Sequence, residues 1–423
     1  MPVNSSVPML RWARLPECDQ LVDGWKATPF TKAANVIAGQ SPPSETYNDQ
    51  GRGLPFLQGN ADFSFKYPQA SVWCSSPQKT ATAGDTLISV RAPVGEVNRA
   101  DREYAIGRGL AAVRATTCNP DFLFHGLQRW RWCLQRVAQG TTFDAVTARH
   151  FSQLHVAIPE LQEEQAEIAR ILDAADSAIE RTRASIESVV ALRRALLQDL
   201  MPPWIGFRRL TDEQIPKGIE AVEIAKDVAE VCNGSTPSRV EGRYWRNGTI
   251  PWLPTGKVHD RVIVAADQFV TESALRECSI NLLPRGTVLV GMIGQGRTRG
   301  MSAYLNIEAC INQNFGAFVP RRKIFGKWLF YYCDFHYSRL REIGGGTNQG
   351  ALNCYLLKRI RLPLPKLDRQ KEVAAVLDAV EELGHCRQAT LEQQVALKKS
   401  LMHDLLTGSV RVPNIRLEAM GAA

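Results

Sequence analysis

The sequence predicts a mixed α/β chain, α+β in class, built as two tandem globular units, each followed by a long helix. Three observations predict it. Residues 159–174 read PELQEEQAEIARILDA, and residues 365–379 read PKLDRQKEVAAVLDA. Aligning Gln165 with Gln370 carries the match without a gap to Met201 and Leu406, with 14 identities in 37 positions. The segments before these lines hold short β-branched runs punctuated by Gly, Pro and Asp, the marks of strands and turns.

The repeated lines have a helical period. Ile168, Leu172, Ala175, Ile179, Ile186, Val189, Leu192, Leu196 and Leu200 step by three or four, with a gap at Thr182. The second stripe is Val373, Leu377, Val380, Leu391, Val395, Leu401 and Leu405, interrupted near Gly384. Pro159 and Pro365 stand before the helices; Pro202 and Pro203 stop the first, and Gly408 is a natural C-cap for the second. A helix of some 37 residues is roughly 55 Å long. So long a stripe outruns a small domain, and two matched stripes are predicted to pair as a coiled coil.

The repeat extends into the globular segments. GQSPPS at Gly39–Ser44 answers GSTPS at Gly234–Ser238. YNDQGRGLPFLQG from Tyr47 answers YWRNGTIPWLPTG from Tyr244, and AGDTLISVRAPVG from Ala83 answers RGTVLVGMIGQG from Arg285. Residues 121–137 and 323–340 read as helices, with Trp130 and Trp132 assigned to packing. The chain is thus one unit written twice: 1–158, helix 159–203, 204–364, helix 365–410, and a tail over 411–423.

Charge is unevenly spread. Residues 1–158 carry 16 Lys/Arg against 12 Asp/Glu, and residues 202–364 carry 22 against 14. The first helical segment is acidic, and the last segment is balanced. The globular units are therefore the candidates for an anionic partner. No apolar run approaches the roughly 20 residues that span a bilayer, and the start has no signal-peptide core, so a cytoplasmic chain is expected. Ten cysteines without a CxxC pair read as reduced thiols. His150 with His155, and Cys333 with His336, lack a second pair to complete a zinc site.

The paired P-x-L-x(2,3)-Q-x-E/K helix openings, the Gly-x-[ST]-Pro strings and Tyr244–Leu253 carry a resemblance. The chain resembles the specificity subunit of type I restriction–modification systems over essentially its whole length. The first unit keeps the motif more loosely, with Leu54-Pro55-Phe56-Leu57 where Ile250-Pro251-Trp252-Leu253 stands in the second. The resemblance implies that each globular unit is a target-recognition domain reading one half of a split double-stranded DNA sequence. It implies an antiparallel helical spacer with pseudo-two-fold symmetry, docking two methyltransferase subunits, with motor-nuclease subunits joining for cleavage. S-adenosylmethionine, ATP and Mg2+ then belong to those partners.

Catalytic motifs are not found. No glycine stands five before Gly-Lys257 or Gly-Lys327 to make a phosphate loop. Asn119-Pro120-Asp121-Phe122 lacks the second proline of an amino-methyltransferase motif and reads as a helix cap. The chain is expected to be a non-catalytic recognition subunit. The alternatives are the recognition subunit of a methylation-only complex and a self-contained DNA-modifying enzyme. Base edges are read by long polar side chains and phosphates by Lys, Arg, Ser and Thr. These rules nominate Ser41, Arg52, Gln58, Asn60, Arg91, Arg108 and Thr141 in the first unit. In the second they nominate Thr236, Arg246, Lys257, Arg297, Arg299, Asn312, Asn314 and Thr347. Arg181, Arg193 and Leu197 are the expected partner contacts on the helix.

Overall fold

The computed structural model describes residues 15–138, 145–207, 215, 219–294, 296–343 and 352–412. In chain order the first half holds β1 (Trp25–Pro29), α1 (Phe30–Ala33), β2 (Ala34–Ala38), β3 (Tyr47–Asn48), β4 (Leu54–Leu57), β5 (Val72–Cys74), β6 (Thr80–Ala81), β7 (Thr86–Ser89), β8 (Val97–Arg99), β9 (Tyr104–Ile106) and β10 (Leu110–Ala115). There follow α2 (Pro120–Ala138), α3 (Ala148–Gln153), β11 (His155–Pro159) and α4 (Gln162–Leu200). The second half holds β12 (Glu220–Glu223), β13 (Ala229–Asn233), β14 (Ile250–Leu253), β15 (Val262–Ile263), β16 (Gln268–Val270), α5 (Glu272–Glu277), β17 (Val288–Gly291), β18 (Ser302–Leu305), β19 (Cys310–Ile311) and β20 (Phe315–Pro320). It closes with α6 (Gly326–Phe335), α7 (Tyr337–Ile343), α8 (Cys354–Lys358), β21 (Arg361–Leu364) and α9 (Leu367–Thr407).

The sheets repeat as the sequence does. The order β2-β10-β7-β8 in one half answers β13-β20-β17-β18 in the other, where β15 adds a fifth strand. The parallel pair β4·β9 answers the parallel pair β14·β19. In each half the first and last strands close an antiparallel pair, β1 with β11 and β12 with β21. That closure delivers the chain to a long helix at Pro159 and at Pro365.

The repeated glutamine fixes this joint. Gln165 Oε1 accepts from the backbone N–H of Asn119 at 2.7 Å, and its Nε2 donates to the carbonyl of Pro159 at 2.8 Å. Gln370 makes the same two bonds, from Phe325 N at 2.8 Å and to Pro365 O at 2.8 Å. Both glutamines are buried, and each ties the start of a domain helix to the start of a long one. Asn119 caps α2, its Oδ1 accepting from Asp121 N and Phe122 N at 3.0 Å each. About two helical turns on, the repeated aspartate meets the domain helix. Asp173 takes His125 at 3.0 Å, and Asp378 takes the Tyr331 hydroxyl at 2.5 Å.

The compact units cut across the five segments drawn from sequence. One comprises residues up to Ala184 with those from Gln388, and the other comprises Ser185–Arg387. Each therefore takes part of both long helices. In the first unit, Ile168, Ala169 and Leu172 share a core with Leu405 and Leu406. In the second, Leu197 and Met201 share a core with Val373, Ala374 and Leu377. The pairing is antiparallel in both. Glu164 meets Arg411 at 2.7 Å and Asp176 meets Lys398 at 2.6 Å; likewise Val189 lies 3.6 Å from where a Cβ on Gly384 would stand, and Arg193 meets Glu381 at 2.8 Å. Thr182 does not break the stripe: it is buried, and its hydroxyl donates to Ala178 O at 3.0 Å. Gly408 follows α9 at φ +74°, the left-handed C-cap geometry.

Two expectations are corrected here. Arg193 is not a free partner contact: it is held by Asp334 at 2.6 Å and Glu381 at 2.8 Å. Leu197 is 6% exposed in the second core, because the inward face of a helix end must cover apolar surface before it can serve a partner. Conversely, Leu192 and Val395, drawn as seam residues, are each 46% exposed. A two-helix seam covers a strip narrower than the full apolar stripe. Arg181 is exposed. No helix among the described residues is long and apolar enough to cross a membrane.

The ion-pair lock is a stability prediction. Burial alone would raise the Asp334 carboxyl, but hydrogen bonds from Arg261 and Arg193 outweigh it and hold it below the usual carboxylate range. Its stabilisation is therefore full above pH ~4 and lost as pH falls through the depressed native value. Asp334→Asn should lower unfolding free energy by roughly 1–3 kcal/mol at pH 7. In denaturant titrations the gap to the parent should close as pH drops below about 4; an equal gap at every pH would refute the assignment.

Candidate nucleic-acid interface

Several of the nominated residues gather at one edge of each unit, where neighbouring turns are bonded together. In the first unit the turn after β2 meets the turn before β10: Gly39 N donates to Leu110 O and Gln40 N to Ile106 O, both at 2.9 Å. The turn after β4 joins them, Gly107 N donating to Leu57 O at 2.8 Å. The end of β7 completes the edge through Val90 N to Gly109 O at 3.0 Å. Glycine is required at this crossing: a Cβ on Gly39 would stand 2.2 Å from Gly107 O, and one on Gly109 would stand 2.4 Å from Gln58 O.

The second unit repeats three of these four bonds. Ser235 N donates to Ile311 O at 3.1 Å, Asn312 N to Leu253 O at 3.1 Å, and Met292 N to Asn314 O at 2.9 Å. A Cβ on Gly234 would stand 1.7 Å from Ile311 O. Ser41 thus corresponds to Thr236, and Gly107-Arg108-Gly109 corresponds to Asn312-Gln313-Asn314. Backbone is shared and side chains are exchanged.

Of the first-unit nominees, Ser41, Gln58, Asn60, Arg91 and Arg108 lie on these converging turns, with Asn60 partly covered and the others exposed. The β4 turn is fixed by Asp62, whose Oδ2 accepts from Gln58 N at 2.7 Å and Gly59 N at 3.3 Å. Arg52 and Arg246 are exposed, but they precede β4 and β14 and so stand at the far ends of those strands from the edge. Thr141 and Thr347 lie outside the described residues.

In the second unit Thr236 and Asn314 are on the edge and partly exposed. Arg297 and Arg299 lie on the loop between β17 and β18, which α7 pins by its backbone. The Tyr337 hydroxyl donates to Arg297 O at 2.8 Å, and Arg341 Nη1 donates to Arg299 O at 3.3 Å. That leaves the Arg297 side chain exposed and Arg299 partly so.

Two nominees are corrected. Lys257 is held by Asp260 at 2.6 Å and Asp267 at 3.2 Å, which keep its ammonium above the usual lysine range; its charge is already spent. Asn312 is 8% exposed, and its Oδ1 accepts from the Thr255 hydroxyl at 2.9 Å and from Asn314 N at 3.2 Å. It builds the turn. The exposed residue of that turn is Gln313, which sequence reasoning passed over.

Elsewhere, His125, Asp173 and Asp176 bring three ligand atoms within 4.8 Å of one another. Side-chain cations already occupy those carboxylates, Arg99 on Asp173 at 2.7 Å and Lys398 on Asp176 at 2.6 Å. No disulfide forms among the described cysteines, and burial pushes the Cys118 and Cys133 thiols up to about 12, the chemistry of inert packing groups.

Comparison with known proteins agrees with this doubled architecture. The family model described as the type I restriction modification DNA specificity domain matches residues 34–189 and 216–394. The chain belongs to that family. The type I restriction enzyme MjaVIII specificity subunit of Methanocaldococcus jannaschii is 26% identical over 309 residues, 70% of this chain and 71% of that protein. The provisionally named MjaX specificity subunit of the same organism is 35% identical over 189 residues, 44% of each chain. The EcoR124I/EcoR124II specificity subunit of Escherichia coli is 21% identical over 178 residues, 41% of this chain and 44% of that one. The chain thus spans about half the length of two of these three relatives. Two solved structures share the fold. The type I restriction–modification S subunit from M. genitalium gives a TM-score of 0.60 at 14% identity, covering 91% of this chain and 97% of its own. A chain from a study of complex assembly and conformational transition of the type I R-M system gives 0.55 at 17%, covering 92% and 100%.

The glycine crossing is testable. Gly234→Ala should force β13 from β19 and destabilise the protein by roughly 1–3 kcal/mol. A Cβ on Gly256, in the neighbouring turn, meets nothing within 4 Å, so Gly256→Ala should stay within about 0.5 kcal/mol. Equal melting curves for the two variants would contradict the crossing.

Proposed function

We propose that this chain is the non-catalytic DNA-recognition subunit of a type I restriction–modification complex, each unit reading one half of a split duplex target. The observation that carries this reading is the duplicated edge, with one hydrogen-bond frame and two different sets of exposed polar side chains. Two copies of one reader need the same scaffold and different contacts. The excess of Lys and Arg in both globular segments supplies the attraction to phosphate.

Methyltransferase and motor-nuclease subunits are the proposed partners, and S-adenosylmethionine, ATP and Mg2+ are proposed to reside on them. The long helices offer a surface for docking. Val190-Ala191-Leu192 and Val395-Ala396-Leu397 are identical triplets in the repeat, and their Val and Leu side chains are 46–58% exposed. Exposed apolar residues kept in both copies are chemistry for a partner that binds twice.

The modular reading predicts that replacing residues 25–159 with the matching unit of a relative changes one half of the recognition sequence. Sequencing of modified bases would check it; alteration of both halves would refute it. The docking reading predicts that Leu192→Asp together with Leu397→Asp weakens capture of a methyltransferase subunit at least tenfold, while the circular dichroism melt stays unchanged. Normal capture by the double variant would overturn it.

A further inference from the structure

The matched turns before β10 and β20 place one exposed long polar side chain at the same point of each reading edge. In the first unit it is Arg108, whose backbone N–H donates to the Ser41 hydroxyl at 3.4 Å. In the second it is Gln313, whose side-chain Oε1 accepts from the Thr236 hydroxyl at 2.6 Å. Ser41 and Thr236 are themselves equivalent, each two residues past the glycine of the crossing. Arg108 is flanked by Gly107 and Gly109, and Gln313 by the turn-building Asn312 and the partly exposed Asn314. Among the described residues, no side chain pairs with the Arg108 guanidinium.

We propose that Arg108 and Gln313 are the equivalent specificity-determining residues of the two units, Arg108 selecting guanine in one half-site and Gln313 selecting adenine in the other. This rests on the DNA-reading function proposed above and adds the residues and the bases. The chemistry follows from the donors each side chain presents. A guanidinium offers two parallel N–H groups, which match the O6 and N7 acceptors of guanine in the major groove. An amide offers one acceptor and one donor side by side, which match N6–H and N7 of adenine. Thr236 orients that amide. Its hydroxyl occupies one lone pair of Oε1, which fixes the amide against rotation and leaves one lone pair and both Nε2 hydrogens for the base.

The test is selection from a pool of randomised duplex DNA by the full chain in complex with its methyltransferase partner. The parent should specify a guanine in one half-site and an adenine in the other. Gln313→Arg should convert that adenine to guanine, and Arg108→Gln should do the reverse in the other half. Each should change discrimination at one position by about 10- to 100-fold and leave other specified positions and their spacing alone. Gln313→Ala, an exposed truncation, should relax the same single position. Thr236→Val should weaken it there alone, whereas a purely structural threonine would lower binding to every sequence alike. An unchanged motif with Gln313→Ala and Arg108→Ala would overturn the proposal while leaving the DNA-reading function standing. Equal loss on all sequences with a shallower salt dependence would mark phosphate contacts and overturn it too. A parent complex that enriches no sequence would overturn the function itself.

Discussion

A charged side chain on one long helix, gripped by a carboxylate on the other and by a polar group on the domain helix, is the interaction on which each unit depends. In the second unit Arg193 joins Glu381 of α9 to Asp334 of α6, with Arg261 on the same two carboxylates. In the first unit Lys398 joins Asp176 of α4 to Gln128 of α2 at 3.1 Å. These are the same lock at equivalent positions of the repeat, since Asp176 aligns with Glu381 and Arg193 with Lys398. Neither lock can be made within one repeat. Each needs the start of one long helix and the end of the other, and so the line had to be written twice with its charges in register. Partly buried, such a network is costly to break from one side, and it fixes which turn of α4 faces which turn of α9.

The same economy governs the sheets. Backbone bonds at the reading edges are duplicated, and glycines stand where two turns touch, so the frame does not constrain the exposed side chains. Under the proposed function, scaffold and specificity are thereby separated in the chain. A residue of the crossing, such as Gly39 or Gly234, has no freedom to vary without moving a strand, while Arg108 and Gln313 do.

Much of this was legible in the sequence. A 3.6-residue period held over ten turns, 14 identities in register and bracketing prolines predict two long helices with little ambiguity. The strands were legible as β-branched runs, and the edge as the glycine-rich strings that bracket them. What escaped were facts of long sequence separation. Arg193 finds Asp334 and Glu381 across 141 and 188 residues, and no local pattern marks it as internal. Lys257 looks like a free cation until Asp267 folds back on it. In Asn312-Gln313-Asn314 three polar residues in a row do not say which one turns outward. That is decided by Asn312 N bonding to Leu253 O, 59 residues earlier. Leu192 and Val395 read as seam because periodicity counts apolar residues and not the width of the surface available to cover them.

Two readers of one frame are proposed to act on one duplex. Sequencing of modified bases in the genome of cells that carry this chain with its proposed methyltransferase partner tests that most directly. The expected result is one chain-dependent motif made of two short specified blocks, separated by a fixed number of unspecified base pairs. A single uninterrupted motif, or modification that does not depend on this chain, would contradict it.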